Sequence, residues 1–474
     1  MRSFDAAVAA ALLETDEATA EALARDLVAA GLVETAGPGR YGHHDLVKRS
    51  ARQQSERTDS PPVRDAALLR LLDHHLATAV TALLRTRPDS PLPRHLHHRL
   101  ATTGRPLHDV AGARAWLHDT HPYLLATVRQ LLALDVPGAL RPAADLLTIW
   151  AQLTSGTARH RDVEEPAGQA LERARQAGDD AVAARLLRLL GAPHHGPDTY
   201  ERAERDLRAS LRMAEAAGDG LTVTLASHEL GVVLTSLGRP EEALPLLVRA
   251  EERLRADGAA SCAIEALADT GRAAMAAGRT EEALKAVNEA VDRAREPGHA
   301  PALAHALHQA GWVYLRTNRP AVAVERFREA LELATGGPVP DPRREALLWA
   351  RLAHCRLAQR QHREALTAAD RALEIEGRLG GTRTAAGSHW PPAAVRCPRW
   401  ASRGRVWAAC GRPTRCWRAG ARRKRRRCRR SWRRSSRAPD RRPRACPVGQ
   451  CGPRGVWRWG HLPAVAGGAS RGGA

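Results

Sequence analysis

Between Leu230 and Leu254 the chain reads LGVVLTSLGRPEEALPLLVRAEERL, and its apolar residues keep a helical beat. Leu230, Val233, Leu234 and Leu237 fall at i, i+3, i+4 and i+7, the spacing of a helix with one buried face. Gly238-Arg239-Pro240 interrupts it. Glycine suits a left-handed C-cap, proline opens a second helix, and Glu241 and Glu242 sit at that helix's positive end. The second helix turns Ala243, Leu244, Leu247 and Ala250 inward and stops before Gly258. Small residues at Gly231 and Ala243 predict a close approach of the two helices, and Leu247 is expected to fill the gap to the next unit.

This unit recurs. Gly178, Gly218, Gly258 and Gly298 are forty residues apart, as are Gly191, Gly231, Gly271 and Gly311. An alanine column follows at Ala203, Ala243, Ala283 and Ala323. Leu207, Leu247, Val287 and Phe327 form a bulky column, and Ser210, Ala250, Ala290 and Ala330 a small one. Such periodicity predicts a stacked array of helix pairs. The pattern resembles the tetratricopeptide repeat, with a fifth copy carried by Trp349, Ala353 and Ala365 and the family's aromatic position kept at Tyr314. The resemblance implies a right-handed superhelix of about five repeats over residues 157–380. Helices longer than the family's usual ones would account for the wider step.

Upstream of the repeats, Phe4 to about Glu56 reads as a small winged-helix unit. Thr15-Asp16-Glu17 caps a helix that ends at Gly31, LVETAGPGRYGHHDL predicts two short strands around a Pro-Gly turn, and a further helix begins at Asp45. A winged helix would place its second helix in a DNA groove. Here that helix carries five acidic residues between Asp16 and Glu34 against the single base Arg25, which would repel phosphate. Residues 61–156 read as a helical connector with a looser stretch, RTRPDSPLPRHLHHRLATTGRP. The expected architecture is therefore all-α: a winged-helix remnant at 1–60, the connector, the array, and a tail at 381–474.

The segment GRYGHHDLVKRSARQQ, with ALLRLLDHHLATAV and ARAWLHDTHPYLLATVRQL after it, resembles large actinobacterial regulators that join an NB-ARC nucleotide switch, a winged helix and tetratricopeptide repeats. Some of these are SARP-type transcriptional regulators. The likeness implies the C-terminal part of such a protein, without the nucleotide-binding domain. No G-x-x-x-x-G-K occurs, and none of the three lysines, Lys48, Lys285 and Lys424, follows a glycine-rich loop.

Composition changes one point. The net charge of +21 suggests nucleic acid, yet from Gly381 onward 25 basic residues face one acid, which leaves 48 bases and 51 acids before it. The tail also holds six of eight cysteines and seven of eleven tryptophans. It reads either as a disordered basic arm around ARRKRRRCRRSWRR, able to hold phosphate and stack on bases, or as a GC-rich gene read out of frame. GC-rich codons for Cys416–Arg429, shifted by two bases, give LAGRREAEAAALP, which has the look of a repeat turn and helix. The frameshift is the expected reading.

No nucleophile–base motif and no H-E-x-x-H stands out, so no enzyme, cofactor or metal site is expected. His95, His97 and His98, like the pairs His43-His44, His74-His75 and His194-His195, lack ligand spacing and are expected at the surface. No run of eighteen apolar residues suggests a membrane span, and a cytoplasmic location is expected. The leading functional expectation is protein–protein recognition as the sensor or scaffold part of a regulator; the alternative is DNA binding through the tail or winged helix. In the repeat register the concave face would carry His228, Arg272, His308, Trp312, Arg316 and His354. That mixture suits an acidic or aromatic peptide, and equally suits ordinary packing between repeats.

Overall fold

The computed structural model describes residues 3–37, 39–154, 162–192, 200–296, 298–336 and 341–378, all within one compact unit. The tail 381–474, with its candidate phosphate-binding run, and the pair His194-His195 lie outside them. Among the described residues the fold is all-α apart from one small sheet.

Strand β1 (Ser3–Asp5) leads into α1 (Ala6–Leu13), capped by Asp5, and α2 (Glu17–Ala29), capped by Asp16. Strands β2 (Glu34–Gly37) and β3 (Arg40–Gly42) follow, then α3 (Asp45–Thr58). The sheet order is β1-β3-β2, both pairings antiparallel. Strand β1 has no hydrophobic alternation of its own, and its register is set by pairing Phe4 with Tyr41. Tyr41 is buried and donates its hydroxyl to Glu21 of α2, which ties sheet to helix.

Helices α4 (Pro61–Thr86), α5 (Val110–Ala133) and α6 (Leu140–Leu153) form the connector. Helix α4 is long and apolar enough to cross a membrane by length and composition, and it is mostly buried here as the connector's central helix. Trp150 is fully buried, lies edge-on to Trp116 and donates its indole N–H to His121 at 3.0 Å. His74 and His75 are buried in α4 rather than at the surface, because the helical phase puts them on its packed side. The connector core continues into α7 (Glu164–Ala177) and α8 (Asp180–Gly191) through Leu171, Val182 and Leu186.

The remaining helices are α9 (Tyr200–Ala217), α10 (Gly220–Ser236), α11 (Pro240–Ala256), α12 (Ala260–Ala276), α13 (Thr280–Ala294), α14 (Ala300–Arg316), α15 (Pro320–Gly336), α16 (Pro342–Ala358) and α17 (His362–Arg378). From α8 on they pack as antiparallel pairs, each also touching the next pair. In the four pairs from α8/α9 to α14/α15 the second-helix bulky residue sits on the first-helix glycine, while the last pair has Ala353 there. A Cβ added at Gly231 would lie 2.6 Å from Leu247, at Gly271 2.5 Å from Val287, and at Gly311 2.6 Å from Phe327. Leu247 thus closes the space inside its own pair, not only the gap to the next unit, because the missing Cβ leaves room for it there.

The turn inside each later pair needs a left-handed residue. Gly238 and Gly278 supply it in the earlier repeats, while Asn318 and Arg360 adopt φ of 59° and 61° at the matching positions. A side chain there is strained. Replacing exposed Arg360 with glycine should therefore raise stability by up to about 1 kcal/mol, read as a higher urea midpoint; a lower midpoint would refute it. Gly311→Ala should cost about 1–3 kcal/mol by overpacking against Phe327, and Phe327→Leu in the same chain should recover part of the loss.

Candidate functional site

One register column along the first helices reads Glu229, Asp269, Gln309 and Arg351 on α10, α12, α14 and α16. Its charge passes from acid through amide to base. The neighbouring column reads Val232, Arg272, Trp312 and His354, so both gain positive or aromatic character toward the last repeat.

The acidic part is matched internally. Asp269 is buried and accepts from three side chains: His228 at 2.9 Å, His305 at 3.1 Å and Gln309 at 2.6 Å. These come from the repeats on either side, so a single carboxylate joins three of them. Burial alone would raise the Asp269 pKa, but the His305 and His228 partners hold it well below the usual carboxylate range. Burial likewise opposes a charge on His228, and the hydrogen bond to Asp269 overcomes it, raising the imidazole above 6.5. Nearby, Arg188 of α8 bonds Glu229 at 2.6 Å, and Arg185 bridges Asp145 and Asp219, each at 2.9 Å. His97 reaches Asp219 at 3.5 Å, and His98 bonds Asp73 at 2.8 Å, so these two histidines join helices instead of facing solvent.

The basic part differs. Arg272 donates to the Ser236 hydroxyl at 3.0 Å, and no carboxylate lies within ion-pair distance of it among the described residues. His308 is half-buried with its ring 6.0 Å from Phe327, and its Nε2 has no hydrogen-bond partner among the described residues. Burial and the charge of Arg351 hold His308 well below 6.5. The same two causes take His354 down to about 4, and burial with Arg272 beside it takes Arg351 down to about 10. Arg316 lies 5.9 Å from the Trp312 ring centre, near the range for a cation over an aromatic face. Of the six residues expected along this face, Arg272, His308 and His354 gather around Arg351, Trp312 pairs with Arg316, and His228 belongs to the acidic network. Asp269, His305, Gln309 and Arg351 were missed, although the register column that contains three of them was legible.

Among the described residues no group of three His, Cys, Asp or Glu has metal-binding arrangement. A cavity of about 450 Å³ lies between α11 and α12, lined by Arg249, Thr270, Arg279 and Glu241.

The depressed imidazoles set a pH dependence. Unfolded His308 and His354 take up protons near 6.5 while the folded ones resist, so folding loses stability as pH falls from 6.5 toward 4. His228 acts oppositely: its contribution is full below 6.5 and is lost as pH rises through its elevated value. Burial depresses His43, His74 and His75 in the same way, and five depressed imidazoles against one elevated predict a falling melting temperature between pH 6.5 and 5. His354→Gln should flatten that slope in thermal melts; an unchanged slope would contradict the assignment.

A family profile described as tetratricopeptide repeat matches residues 221–296 and 263–336. The regulatory protein AfsR of Streptomyces griseus is 35% identical over 255 residues, 53% of this chain and 26% of its own length. AfsR of Streptomyces coelicolor is 32% identical over 271 residues, 56% of this chain and 27% of its own. The chain thus spans about a quarter of the length of these curated relatives. Among solved structures, a Rap protein complexed with competence and sporulation factor aligns over 71% of this chain and 92% of its own, at 14% identity and TM-score 0.45. A signal-transduction ATPase with a tetratricopeptide repeat sensor from Pyrococcus horikoshii aligns over 79% and 61%, at 13% identity and TM-score 0.35. The chain thus carries tetratricopeptide repeats across residues 221–336 and is similar over about half its length to the Streptomyces regulatory proteins AfsR.

Proposed function

We propose that the chain is the protein-interaction part of a cytoplasmic bacterial regulator, and that it takes a peptide or protein partner along the first-helix row. The observation that carries this reading is the change of charge along one repeat column. Acidic positions are consumed by internal partners, whereas Arg272 points at a hydroxyl and lies beside Arg351 and a half-buried, neutral His308. Guanidinium groups concentrated in a partly desolvated recess gain from a carboxylate brought to them. Trp312 with Arg316 offers an apolar face next to that charge, the kind of anchor that dominates peptide interfaces. An acidic segment is the partner chemistry that fits. The relation to AfsR supports a regulatory setting, and the proposal is of binding rather than catalysis.

The DNA alternative has little support from the described residues. The outward side of α2 presents Leu23 and Leu27 beside Glu17 and Asp26, which offers phosphate no attraction. A labelled peptide of six glutamates should bind the full chain more tightly than one of six lysines, and the affinity should fall with added salt. Arg272→Glu should weaken it about tenfold or more, the scale of a lost charged hydrogen bond. Equal binding by the charge-reversed variant, or preference for the lysine peptide, would overturn the reading.

A further inference from the structure

The residue after each glycine of the first column is Asp179, Asp219, Ala259 or His299, and Asp341 stands at the same place before the fifth pair. Three of these cap their own helices. Asp179 accepts from Val182 N–H at 3.3 Å, Asp219 from Thr222 at 3.1 Å and Asp341 from Arg344 at 2.9 Å. Ala259 has no capping group, so α12 begins without one from its own repeat. The Ser261 N–H there donates instead to Asp89 Oδ2, 2.5 Å away and 172 residues earlier in the chain. Asp89 belongs to the loose stretch between α4 and α5.

Further contacts follow the same segment. Ser261 Oγ and His299 Nδ1 lie 2.8 Å apart, with His299 Nδ1 3.8 Å from Asp89. Arg87 reaches Glu265 at 3.5 Å, and His97 reaches Asp219. On its other side the segment is held by the connector: Ser90 Oγ donates to Gln152 at 3.1 Å, His98 N–H donates to Asp145 at 2.8 Å, and Leu92 is buried. Residues 87–98 therefore cross the starts of α10, α12 and α14 with an arginine and an aspartate two positions apart, each placed on a repeat group of opposite character.

We propose that Arg87–His98 is a strap, an internal occupant of the first-helix row that keeps its acidic half closed. A partner segment with the same Arg-x-Asp chemistry would enter only by displacing it. Two first helices, α12 and α14, lack a side-chain cap of their own. Asp89 of the strap serves both starts, accepting from Ser261 N–H and lying 3.8 Å from His299 Nδ1, so the seat and the occupant are complementary in sequence as well as in space. The partner half of this statement rests on reading the array as a binding surface; the internal contact does not.

Hydrogen exchange on the full chain tests the contact, and a fluorescein-labelled peptide of residues 86–98 tests the seat. In Arg87→Ala/Asp89→Ala the strap amides should exchange at least about fivefold faster, the size of a lost side-chain cap, while α13 to α17 stay protected. The labelled peptide should bind that variant and not the wild type. Adding Ala259→Asp gives α12 a cap of its own; strap exchange should remain fast, and peptide binding should drop because the seat for its aspartate is filled. Strap amides as protected in the double variant as in wild type would overturn the proposal. So would protection lost throughout the repeats and not restored by Ala259→Asp, which would make the segment part of the core. The six-glutamate peptide reports on Arg272 separately, so failure of that binding leaves the exchange result readable.

Discussion

Everything in the array depends on how closely two helices of a pair approach. At Gly231, Gly271 and Gly311 a single methyl group would collide with the side chain packed on it. Because the glycine recurs at a fixed step, the approach distance recurs too, and successive pairs stack in register. That register is what allows one helical position to become a row. Glu229, Asp269, Gln309 and Arg351 are far apart in the chain but fall at matching positions of successive repeats, so a gradual change in residue type becomes a gradient of charge along the stack.

The two ends of that gradient are treated differently by the protein. At the acidic end nearly every charge has a partner from another helix, and the Asp269 network and the Arg185 bridge join elements that share no covalent proximity. Buried carboxylates of this sort are tolerated only because several donors surround them. At the basic end, desolvation and mutual repulsion depress the bases instead of stabilising their charged forms. The carboxylates of the first half each have a donor from another helix, whereas Arg272 in the second half meets a hydroxyl and has no carboxylate within ion-pair distance among the described residues.

The strap adds a constraint on which half is open. Its anchoring at α12 uses the one kind of interaction a helix start always offers, an unpaired N–H at the positive end of the helix dipole. The repeats that cap themselves leave no such opening. Loss of aspartate at position 259 and the presence of aspartate at position 89 are two halves of one interaction.

The sequence by itself determined the helix pairs, their caps and their step, because these follow from local backbone preference and from side chains repeating at 3.6-residue and forty-residue periods. It also showed which columns the first helices of the pairs share. Only the tertiary structure decided that Leu247 closes its own pair, that His74 and His75 are core residues, and that β1 pairs with β3. Asp269 met its three donors, and Asp89 its distant helix start, for the same reason. Each contact joins residues at least 36 apart whose approach is fixed by the stacking of whole repeats, and no short-range period in the chain encodes which distant side chains that stacking brings together.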